Sequence, residues 1–158
     1  MSALGWVLGT FHTTALALVL LLLVYPRGGL GATLANLSTL TGLALFIALW
    51  TTTLFTTSRA IAGLDLLGDT SAGFHRRALR WGGANGMLFF VSLVAILVVN
   101  AILTASPGTN VGGIFSSAAF FGLFGLAFAM VIGALLGVVF ATVDLAALRL
   151  ARAGAPPG

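Results

Sequence analysis

The chain has 158 residues, 59% hydrophobic and only 6% charged, against roughly 25% charged in ordinary soluble domains; this excludes a soluble globular protein and marks an integral membrane one. Cysteine is absent, so disulfides and thiolate-held metal or iron–sulfur centres are excluded. The net charge of +4 comes from seven arginines against three aspartates; arginines grouped at the ends of apolar segments point to membrane orientation rather than nucleic-acid binding.

Lys, Glu and Gln are also missing, a bias that GC-rich codon usage explains. The first apolar run, residues 4–25, is long enough for one span at 1.5 Å per residue. It stops at Tyr25-Pro26-Arg27-Gly28-Gly29, an interfacial aromatic followed by a breaker and a glycine turn. Ala15 to Val24 also resembles the apolar core of a secretory signal, but no Lys or Arg precedes it.

The second span is expected over residues 34–62, longer than a perpendicular crossing requires, so it must tilt or project. It is rich in hydroxyls: Thr39, Thr41, Thr51, Thr52, Thr53, Thr56, Thr57 and Ser58. Thr52, Thr56 and Arg59 share a face at helical spacing, which makes a polar stripe. Such hydroxyls either bond back to their own helix carbonyls and neighbouring helices or line a hydrated path.

Between Asp65 and Gly83 lies the extended polar connection. From Thr70 or Ser71, both plausible caps, Phe74, Ala78 and Trp81 fall on one side while His75, Arg76, Arg77 and Arg80 fill the rest. The pattern predicts a short amphipathic helix in the headgroup layer, with His75, Arg76, Arg77, Arg80 and Trp81 among anionic lipid headgroups. A partner's acidic surface is the alternative for the same cations.

The third span, residues 86–105, carries Ser92 and Asn100. Asn100 is expected to face the bundle, because an amide pointed at lipid lacks partners. Ser106-Pro107-Gly108-Thr109-Asn110 then reads as a turn.

The fourth span, residues 114–148, exceeds one crossing by several turns. Gly125, Ala129, Gly133, Gly137 and Ala141 recur at a strict four-residue spacing and stack on one face as a ridge of small residues. In lipid, where apolar contact gains nothing over the tails, a ridge of this kind is one of the few devices that drives helices together. Residues 153–158, with Pro156-Pro157, are expected to be disordered.

The fold class expected is therefore an all-α integral membrane protein, a single domain over residues 1–152. Its form is a four-transmembrane-helix bundle with a short amphipathic interfacial helix between spans 2 and 3. Arg27 stands alone after the first span and none follows the third, whereas Arg59, Arg76, Arg77 and Arg80 flank the central connection and Arg149 and Arg152 the far end. By the positive-inside rule both termini and that connection are cytoplasmic, in a cell membrane. The two glycine turns, and the likeness of Leu64-Asp65-Leu66 to Val143-Asp144-Leu145, leave a parallel duplication of two helical hairpins open.

Intramembrane ionisable and amide groups are the next candidates: His12, Arg59, Asn100 and Asp144, with Asp65 and Asp69 beside the membrane. Asp144 is expected to pair with Arg59 where the fourth and second helices meet. His12 is expected to hydrogen-bond to a hydroxyl such as Thr14 or a threonine of the second helix; proton relay and haem ligation are alternatives, and haem needs a second ligand at the same depth. No cofactor and no catalytic residue is assigned, because no carboxylate pair, metal spacing or phosphate loop is evident.

The function expected is a non-catalytic scaffold or accessory subunit that packs through the ridge on helix 4, against its own chain or other membrane subunits, with the lipid bilayer as its other partner. The alternatives are a small oligomeric channel or transporter with a Thr-lined path through Asn100 and His12, and, remotely, a b-type haem carrier.

Overall fold

The structure, a computed structural model, describes residues 3–25, 38–62 and 71–153. Four helices follow in order: α1 Ala3–Val24, α2 Thr39–Ile61, α3 Ser71–Leu103 and α4 Val111–Ala153. Each is long and apolar enough to cross a bilayer, so the protein is a multi-pass membrane protein built as an all-helical bundle. The turns at residues 26–29, the acidic residues Asp65 and Asp69, the Thr70 cap, the Arg152 side chain and the tail from 154 lie outside the described residues.

The helix starts follow local chemistry. Ser38 caps α2, its Oγ accepting the Thr41 N–H at 3.2 Å, so the second helix begins at Thr39 rather than at 34. Asn110 does the same for α4, its Oδ1 accepting the Gly113 N–H at 3.0 Å, which starts α4 at Val111, three residues before the expected 114. Between α3 and α4 the chain turns through Pro107 and Gly108, the latter at φ +94°, a left-handed conformation suited to a residue without a Cβ.

The connection between spans 2 and 3 differs from the sequence expectation. Residues 71–81 are helical, but they continue without a break into the third span, giving one helix of 33 residues. Gly82 and Gly83 invite a break because glycine costs about 1 kcal/mol per position in a helix interior. Here packing overrides that preference. A Cβ on Gly82 would strike the Gly133 carbonyl oxygen and come within 2.8 Å of the Gly137 Cα, so the missing side chain is what lets α4 lie against α3.

That contact is the centre of the fold. Ala78, Gly82 and Gly86 of α3 face Gly137, Gly133 and Ala129 of α4 in descending order, so the two helices are antiparallel with backbones in contact from 78 to 86 and from 129 to 137. Phe74 and Ala78 join Ala141, which is only 2% exposed, in a buried cluster. Phe74 and Ala78 are thus turned into the protein rather than into the headgroup layer.

α2 packs antiparallel to α3, through Thr53 with Asn85 and Phe55 edge-on to Trp81. α1 packs on α2 where Gly9 comes up against Leu54, with Trp6 and Trp50 in an edge contact at 5.6 Å beside it. Helices α1 and α4 meet through His12, stacked on Phe140 at 4.2 Å.

Candidate functional site

A cavity of ≈ 420 Å³ lies where all four helices converge. Its wall is mostly aliphatic and aromatic, with Trp81, Phe89 and Phe90 of α3 on one side; its polar groups are His12, Asp144, Asn85 and the hydroxyls of Thr53, Thr56 and Thr57.

Three helices bring the first polar group together. His12 of α1 is 5% exposed and Asp144 of α4 6%. His12 Nε2 lies 3.3 Å from Asp144 Oδ1, and His12 Nδ1 lies 3.3 Å from Thr57 Oγ1 of α2. An ionised carboxylate only accepts, so Nε2–H donates to Asp144; Nδ1 then accepts from the Thr57 hydroxyl when the ring is neutral and donates to it when the ring is charged. The pairing compensates groups whose isolated burial is costly in an apolar interior.

The sequence reading is corrected here on two points. Asp144 pairs with His12 rather than with Arg59; Arg59 is on the exposed side of α2, its guanidinium 5.2 Å above the Phe55 ring. The reason is angular: Thr57 points to the bundle interior while Arg59, two residues on, points away from it. His12 does find a threonine of the second helix, as expected, while Thr14 instead donates to the Thr10 carbonyl at 3.0 Å.

Asn100 is also placed differently. It is exposed, at a shallow groove beside Leu40, Thr41 and Ala44 of α2, rather than facing the interior. The interior amide is Asn85, which the sequence reading passed over. Its Nδ2 donates to Thr53 Oγ1 at 3.3 Å, and its Oδ1 is buried without a hydrogen-bond partner. A polar residue within an apolar run four residues from Trp81 was the available signal.

The threonine stripe divides. Thr51 and Thr52 donate to the carbonyls of Ile47 and Ala48 in their own helix, and Thr56 donates to Thr52 O at 2.8 Å. Thr56 faces the cavity, Thr52 is half-buried and Arg59 lies outside, so the three do not form one continuous wetted line.

The expected headgroup cations behave unequally. Arg76 and Arg80 are exposed. Arg77 Nη1 instead donates to the carbonyl of Ala62 at 3.3 Å, a cation at the C-terminal end of α2 where the last carbonyls lack helical partners. His75 Nε2 lies 3.2 Å from Thr142 Oγ1 of α4, and Trp81 lines the cavity.

The order Thr57, His12, Asp144 matches the hydroxyl–imidazole–carboxylate sequence of a nucleophilic relay. Acyl transfer also needs donors aimed at the developing oxyanion. Thr57 sits inside α2, where neighbouring N–H groups belong to the helix ladder, so the backbone beside it supplies none. The arrangement is suited to clamping α1 onto α2 and α4. Both nitrogens of His12 are engaged, and His75 lies on another face with Thr142, so the two histidines do not form a shared iron site.

The ridge on α4 finds its partner within the chain. Gly133, Gly137 and Ala129 meet backbone of α3, Gly125 meets the Phe90 ring, and Ala141 packs on Phe74 and Ala78. The matching ladder Ala78, Gly82, Gly86 on α3 has the same four-residue spacing and was missed because its first member fell in the segment assigned to the interface. Comparison with known proteins gives a match to one family, described as a family of unknown function (DUF7965), over residues 1–157. No curated protein and no solved structure matches.

Proposed function

We propose, from the premise that the chain belongs to the DUF7965 family, that it is a non-catalytic accessory subunit of a membrane assembly. The α3–α4 hairpin is its rigid core. The observation that carries this reading is the continuation of the α4 ridge: Phe121, four residues before Gly125, stands in line with the small residues yet is 71% exposed. Phe124 and Phe128 are exposed with it, and a Cβ on Gly122 would meet nothing within 4 Å. The seam is used within the chain, and this aromatic face is what remains for a neighbouring membrane helix. The α2–α3 connection and the far end of α4 are assigned to the cytoplasmic side of a cell membrane, from the arginine distribution; the N-terminus is not placed with them, because α1 runs parallel to α2, with Trp6, Gly9 and His12 against Trp50, Leu54 and Thr57 in turn.

The test is extraction in mild detergent, followed by identification of co-purifying membrane proteins. Phe121→Ser with Phe124→Ser should release a partner while leaving the thermal transition of the protein unchanged. Retention of the same partner, or a protein that runs alone before any substitution, overturns the reading. A Thr-lined channel finds less support, because the described hydroxyls of Thr51, Thr52 and Thr56 return to their own helix.

A further inference from the structure

The central cavity carries an inference that goes beyond an accessory role. At ≈ 420 Å³ it approaches three times the ~150 Å³ that holds a benzene ring, enough for an apolar body on the order of fifteen to twenty carbons. Among the described residues no arginine lines it, and the one carboxylate that does, Asp144, is held by His12. An anionic head such as a carboxylate or phosphate would therefore be buried without a counter-charge and beside another carboxylate.

Among the described residues two buried polar atoms lack a partner, Ser58 Oγ and Asn85 Oδ1, and of these two residues it is Asn85 that lines the cavity. Asn85 Oδ1 is buried without a partner while Nδ2 is bonded to Thr53, and Asn85 lines the cavity. An unsatisfied buried carbonyl calls for a donor. If the amide is turned over, so that the oxygen faces Thr53, the unpaired atom becomes a donor that calls for an acceptor. A hydroxyl is the neutral group that answers both.

The geometry points to a binding site for a neutral lipid alcohol: a single apolar chain lying against Trp81, Phe89 and Phe90, with its hydroxyl on Asn85. The site is distinct from the α4 aromatic face on which the accessory role rests.

The experiment measures equilibrium binding of three probes to the purified full-length protein in detergent: geranylgeraniol, the carboxylic acid of the same chain, and the corresponding hydrocarbon. The alcohol should bind saturably at one per chain, about tenfold more tightly than either the acid or the hydrocarbon. Asn85→Leu should bring the alcohol down to the hydrocarbon's affinity and leave the hydrocarbon unchanged. Leu136→Trp, which fills the cavity, should abolish binding of all three. Equal binding of acid and alcohol, an alcohol preference that survives Asn85→Leu, or binding untouched by Leu136→Trp overturns the assignment. The three-probe comparison on the unaltered protein decides the matter even if a variant does not fold.

Discussion

At the scale of single residues, the most consequential pair is His12 with Asp144, because each is buried and each is the other's main compensation. Removing one partner strands the other in an apolar interior. His12→Ala or Asp144→Ala should therefore destabilise by roughly 3–5 kcal/mol, whereas His12→Phe combined with Asp144→Leu should recover most of that loss. Reversible unfolding in mixed micelles measures both, and additive effects of the two substitutions would show that the residues do not act as a pair. Arg59, which lies outside the bundle over Phe55, serves as the comparison: Arg59→Ala should change stability by less than about 1 kcal/mol.

Among the elements, α3 and α4 depend on residues chosen for what they lack. A Cβ on Gly86 would strike the Ala129 carbonyl and one on Gly133 would come within 2.9 Å of Gly86; both contacts are to backbone, which cannot rotate away. Gly86→Leu and Gly133→Leu should each abolish the cooperative thermal transition, while Gly122→Leu, which points into open space, should leave it in place. A Gly133→Leu protein with an unchanged transition would contradict the packing. Hydropathy and spacing were enough to foresee the spans and the α4 ridge, since apolar length and small-residue period are local properties. The continuity of α3 through Gly82 and Gly83 was not local. It depends on the α4 backbone occupying the space those glycines leave, so glycines that look like a break are in fact a contact. His12 and Asp144, 132 residues apart, were singled out separately but could not be matched without knowing which faces of α1, α2 and α4 converge.

For the whole molecule, the helices are uneven in reach. α4, at 43 residues, is about 65 Å long, and α3, at 33, about 50 Å, against a hydrocarbon core of about 30 Å. Arg76, Arg77 and Arg80 lie at the start of α3 and Arg149 near the end of α4, so antiparallel packing gathers these cations at one end of the bundle. Because the chain has no native cysteine, single introduced cysteines report sidedness directly. Arg80→Cys should be modified by a membrane-impermeant thiol reagent only from the cytoplasmic side, and Thr109→Cys only from the opposite one; labelling of both from one side would refute the assigned orientation. The same property allows the central claim, that the small-residue seam closes within one chain, to be tested with a pair of cysteines in place of Ala78 and Ala141, which share the buried cluster. Mild oxidation in native membranes should give a rapid disulfide within the monomer, seen as a shifted band at monomer mass; a disulfide-linked dimer, or no crosslink at all, would contradict it.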